Sequence, residues 1–189
     1  MTAIKLASAF APSRFTRLSW PEDVRILLDH ADELAGRLGI TLRADQEWRD
    51  WLELRHRRPA QLADADAYAR YEATAQVCDS VAFVLCTEDD ACIGYWLADS
   101  PGPLAGRPLV KLDRTGRFIV CAGRNLAEAL LSEFSASNPQ RFEELREWFD
   151  EMGVRGLPPL EVEIPWPTVI PSPGQVQSAL QARLRRPGR

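Results

Sequence analysis

The stretch that decides the fold is Ser80–Asp99, "SVAFVLCTEDDACIGYWLAD". Two apolar runs of equal length, rich in β-branched and aromatic residues, flank the polar tetrapeptide "EDDA" (88–91), which is the pattern of a β-hairpin. Alternation along the second run puts Ile93, Tyr95 and Leu97 on one face and Cys92, Gly94 and Trp96 on the other. Gly94 is the odd member. Glycine inside a strand is about 0.5–1 kcal/mol worse than alanine, because it gives up more backbone freedom and has no side chain to pack. The expected compensation is room: with nothing at 94, an aromatic ring or a helix backbone can come close to the sheet on that face.

Downstream, after the loop "SPGPLAGR" (100–107), the runs "PLVKLD" and "RFIVCAG" are separated by "RTG" and predict a second hairpin. Strands joined in succession by tight turns predict an antiparallel β-meander of about four or more strands. Next, "NLAEALLSEFS" (125–135) returns to helical period, with Asn125 at the cap and Glu128 three residues on. Another helix follows in "NPQRFEELREWFDEMG" (138–153), with Asn138 as cap, Pro139 at the first position and Gly153 at the exit. The proline-rich segment "LPPLEVEIPWPTVIPSPG" (157–174) is extended and can add an edge strand at "LEVEI", but not a central one.

Upstream, "LSWPEDVRILLDHADELAGRLG" (18–39) places Ser19 three residues before Glu22 in capping-box spacing. Val24, Leu27, Leu28, Ala31, Leu34, Ala35 and Leu38 recur at helical period, and Gly39 fits the exit. "DQEWRDWLELRHRR" (45–58) aligns Trp48, Trp51 and Leu52 on one helical face, and the alanine-rich "QLADADAYARYEATAQV" (61–77) predicts a third helix. The fold class is therefore α+β, a meander packed with helices from both termini. A chain of 189 residues suits one domain, expected over 1–174, with a C-terminal helix and basic tail over 175–189.

Net charge is −4, yet the last seven residues, "RLRRPGR", hold four arginines and no acids, which leaves −8 on residues 1–182. Such an acidic body disfavours direct nucleic-acid binding and attracts a basic partner; the arginine tail reads as a solvated terminus. No apolar run is long enough to span a membrane, and "MTAIKLASAFAP" is too short and too weakly charged for a secretory signal, so the expected location is cytoplasmic. Cys78, Cys86, Cys92 and Cys121 show no C-x-x-C spacing and read as buried thiols.

Motifs for chemistry are sparse. His30 and His56 have no local partner, and "GPLAGR" lacks the spacing of a phosphate cradle. Ser100, Ser132 and the cysteines sit in no nucleophile motif. Glu88, Asp89 and Asp90 form a carboxylate run on the hairpin tip without the spacing of a calcium loop, so recognition of a basic protein outranks metal binding there. Trp48, Trp51 and Trp148 read as core. Trp166, between prolines, is expected to cover the sheet, with an exposed anchor as the alternative.

The ordered set "GYW" (94–96), "PLVKLDRTGRF" (108–118) and "NLAEALLSEF" (125–134) resembles the SUKH superfamily, which contains Syd and the fungal cell-wall regulators of the Smi/Knr type. The matching positions are Gly94, Tyr95, Trp96, Asp113, Gly116, Asn125 and Leu126, within about residues 80–134. The resemblance implies a non-enzymatic, cofactor-free α+β binding scaffold. It further implies a bacterial immunity protein of a polymorphic toxin system, which binds and neutralises one cognate toxin, frequently a nuclease or deaminase, by occlusion. Glu88, Asp89, Asp90, Tyr95 and Trp96 are the expected partner contacts. The alternatives are a SUKH-type regulatory or assembly adaptor and a carboxylate–metal hydrolase built on Glu88–Asp90.

Overall fold

Residues 81–96 form the centre of a five-stranded sheet. The computed structural model describes residues 20–42, 64–98, 103–135 and 137–185. In it β1 (Ile40–Leu42), β2 (Val81–Thr87), β3 (Cys92–Trp96), β4 (Leu109–Leu112) and β5 (Phe118–Val120) lie side by side in chain order, each antiparallel to the next. The described residues also hold six α-helices: α1 (Glu22–Asp29), α2 (Ala31–Leu38), α3 (Ala65–Cys78), α4 (Leu126–Ser135), α5 (Pro139–Glu151) and α6 (Pro173–Leu184). The fold is α+β, and its meander gains an edge strand, β1, that the sequence pattern did not announce. The segment 45–58, with Trp48, Trp51 and His56, lies outside the described residues, as does Ser100.

Alternation sorts the central strand between two cores. Ile93 and Tyr95 enter the larger core with Val24, Leu27, Leu34, Leu130, Phe142 and Phe149 from α1, α2, α4 and α5. Cys92 and Trp96 enter a second core with Val77 and Cys78 of α3, against which Val176 and Leu180 of α6 pack. All five residues of β3 are buried, because helices cover both faces of the sheet.

The group that fills the space at Gly94 is the neighbouring strand itself. A Cβ there would lie 2.5 Å from the Ala82 carbonyl oxygen and 2.6 Å from Phe83 Cα. The anticipated aromatic ring or helix is not what approaches. Phe83 opposes Gly94 and Leu85 opposes Ile93, so Val84 is the extra residue of a β-bulge. The bulge turns Val84 and Leu85, consecutive residues, into the same core and brings the β2 backbone over Gly94.

Other expectations change locally. The helix expected over 19–39 breaks at His30, and Pro21 takes the cap position of α1 with no side-chain cap bond; Ser19 is outside the described residues. Past the break Leu34 and Leu38 are buried while Ala35 is exposed, and α2 ends at Gly39 in the left-handed conformation (φ 62°). Asn138 caps α5 through the amides of Gln140 and Arg141, and Asn125 Oδ1 accepts from the Glu128 amide at the start of α4. "LEVEI" is not an edge strand. Glu161–Glu163 form a 3-10 turn, with the Glu163 amide bonded to the Leu160 carbonyl, so local bonds replace a ladder between flanking prolines.

Residues 154–172 act as a strap around the sheet. Val154 and Ile164 sit in the larger core, Val169 packs on the second, and the Gly123 amide donates to the Pro165 carbonyl. The strap delivers α6 onto α3 and β5. There Gln177 Nε2 donates to Thr74 Oγ1 (2.7 Å) and to the Gly116 carbonyl (2.6 Å), joining both helices to the β4–β5 turn.

Candidate functional site

The β2–β3 tip carries the carboxylate run singled out in the sequence, and the turn itself uses those residues. The Glu88 amide donates to the Gly39 carbonyl (2.8 Å), and the Glu88 side chain lies over the bare Cα of Gly39. Asp89 accepts from the Thr87 hydroxyl. Asp90 takes the left-handed conformation (φ 62°) and donates its amide to the Thr87 carbonyl. Glu88 and Asp89 are exposed, so the tip presents charge to solvent without an apolar anchor.

Tyr95 and Trp96 are in a different place from the surface their expected contact role requires. Their exposures are 1% and 6%, because helices cover both faces of β3. Tyr95 Oη has no hydrogen-bond partner among the described residues, and burial, with the nearby Asp23 charge, raises its phenol well above the usual range. Asp23 is also buried. Desolvation raises its carboxyl above the ordinary value, against hydrogen bonds from the backbone of Ala127 and Leu126 at the start of α4. Asp23 thus caps a helix 104 positions along the chain, with its Oδ2 accepting from the Ala127 amide at 3.2 Å.

Asp113 serves the β4–β5 turn. Its Oδ1 accepts from the amides of Thr115 (2.8 Å) and Arg117 (3.0 Å) and from the Thr115 hydroxyl (2.7 Å). Partial burial raises its carboxyl, but those bonds outweigh it and hold Asp113 below the usual carboxylate range. Gly116 follows in the left-handed region (φ 81°). Among the described residues no group of three or more His, Cys, Asp or Glu side chains converges as a metal site, and no helix is long and apolar enough to cross a membrane.

Among the described residues, the exposed tryptophan is on the strap. Trp166 is 70% exposed, which overturns the expectation that it covers the sheet, and Val162 is 88% exposed. Both stand at the rim of a groove of about 740 Å³ between α4, α5 and the strap, floored by Ala122, Phe142 and Ile164. Two carboxylates on its walls are already paired, Glu133 with Lys111 and Glu143 with Arg146, while Glu161 lies on the strap side. The segment 126–166 holds nine carboxylates against three arginines, although buried Glu128 pairs with Arg124 and Glu133 with Lys111, both outside it. An apolar rim, a buried floor and carboxylates on the walls give the groove the chemical character of surfaces that bind other molecules.

Sequence reasoning missed this groove because exposure of Trp166 depends on the path of the strap. The available signal was the proline on each side of Trp166, which keeps the segment out of both ladder and helix. A second recess, about 520 Å³, lies between α3, the β4–β5 turn and α6; it is polar, with Arg70 and Arg117 among its walls. Compared with known proteins, the chain matches no family model, no curated protein and no solved structure.

Proposed function

We propose that this protein works by binding: an immunity protein that neutralises a basic toxin by occluding it, with the strap groove as the contact surface. The observation that carries the reading is Trp166, exposed beside Val162 at the rim of a groove in an acidic segment. Tryptophan is enriched among the few residues that dominate interface energies, and large exposed apolar side chains gathered on one surface mark interaction sites. The excess carboxylates favour a basic partner by speeding encounter and disfavouring acidic competitors. The resemblance of residues 80–134 to SUKH proteins supports the same class.

The test is growth rescue. The polypeptide encoded beside this gene is expressed in a heterologous host with and without this protein, and the two are then co-purified. The reading expects the neighbour to kill, this protein to restore growth, and a stoichiometric complex to form. A harmless neighbour, or rescue without a complex, contradicts it; a harmless neighbour that binds favours an adaptor.

A further inference from the structure

The sequence places Cys86 and Cys92 on opposite sides of the "EDDA" turn, and the fold sets them face to face. They are register partners on β2 and β3, and their Sγ atoms are 2.7 Å apart. Directly opposed residues of antiparallel strands have Cα atoms about 4.5–5.5 Å apart, inside the roughly 4.4–6.8 Å range that a disulfide spans. No movement of the strands is needed to join them. Access is unequal, since Cys86 is half-buried and Cys92 buried. The other two cysteines are buried elsewhere: Cys78 in α3, and Cys121 just past β5, where burial, reinforced by Glu133, pushes the thiol up to about 12.

We propose that Cys86 and Cys92 are a modification site, a dithiol that hydroperoxides convert reversibly to an intramolecular disulfide. The Cys86 sulfur attacks the hydroperoxide; the S–O bond forms, the O–O bond breaks, and an alcohol, or water from hydrogen peroxide, leaves. The Cys92 sulfur then attacks Cys86 Sγ, forming S–S and breaking S–O, and the departing hydroxide takes the Cys92 proton as water. Two electrons from a thiol reductant restore the pair. Oxidation clamps the base of the tip that carries Glu88–Asp90, in the manner of the transient disulfides found in reducing compartments.

The full chain is treated with hydrogen peroxide, unfolded in an alkylating agent, and read by intact mass and peptide mapping. The expected result is loss of two of the four alkylatable cysteines, a Cys86–Cys92 cross-linked peptide, and recovery of all four after thiol reduction. Four alkylatable thiols after peroxide, cross-links between chains, or sulfinic acid at Cys86 without a cross-link would each overturn the proposal. Cys92→Ala should leave Cys86 as a sulfenic acid that a 1,3-diketone traps. Cys86→Ala, at the less buried position, should lose the cross-link entirely, and any cross-link persisting there contradicts the assignment.

Discussion

Two regions of this molecule use aromatic residues in opposite ways. In the central strand, Tyr95 and Trp96 are consecutive and both buried, because alternation sends them to opposite faces and helices cover each. In the strap, Trp166 is flanked by prolines, joins neither ladder nor helix, and stays exposed. Residue type alone does not separate the two. The hairpin aromatics contribute to stability, whereas the role proposed for the strap aromatic is to hold a partner. Substitutions at the buried hairpin aromatics should therefore act on folding, and substitution of Trp166 on binding.

The largest expected effect is at Gly94. Gly94→Ala places a Cβ 2.5 Å from the Ala82 carbonyl oxygen, within backbone that is fixed by the bulge. The fold should lose about 3 kcal/mol, seen as a lower midpoint in urea unfolding. A loss under about 1 kcal/mol would mean that the bulge relaxes. Next is Trp166→Ala, which should weaken the complex with the proposed partner by about 2 kcal/mol, close to thirtyfold in Kd, while shifting stability by less than about 0.5 kcal/mol. Equal losses in binding and stability would erase the distinction between the regions.

A smaller effect tests the hairpin from within. Tyr95→Phe removes a buried hydroxyl that has no partner among the described residues, so stability should rise by about 1 kcal/mol. A fall of that size would show that the hydroxyl is bonded, for instance through water to Asp23.

The smallest effect is a pH slope. Burial raises the Asp23 carboxyl, so the folded state holds its proton more tightly than the unfolded chain does. Its contribution to stability is fully present below the ordinary value of 3.8 and is lost as pH rises through the folded value. Asp23→Asn keeps an acceptor for the Ala127 amide but does not titrate, so from pH 4 to 7 the parent should lose stability relative to the variant. The opposite slope would mean that the charged cap on α4 outweighs desolvation.

These residues also show how far the sequence could be read. The two hairpins and the α4 and α5 caps were legible because each rests on neighbours in the chain: alternation, polar turns, and Asn125 and Asn138 at their positions. Ile40–Leu42 was not, since three residues after a helix exit carry too little alternation to mark a strand. The bulge at Val84 was hidden because an extra residue has meaning only once a partner strand supplies the register. The same holds for Cys86 facing Cys92. Of the expected contacts, the exposed charge of Glu88 and Asp89 was legible, while the burial of Tyr95 and Trp96 depended on helices distant in sequence.

The most direct test of the division between hairpin and strap is hydrogen exchange on the complex with the neighbouring polypeptide, read by peptide. Slowed exchange is expected across residues 157–170, with residues 86–92 exchanging as in the free protein. Protection confined to 86–92, with the strap unchanged, would contradict it and return the contact surface to the carboxylate tip.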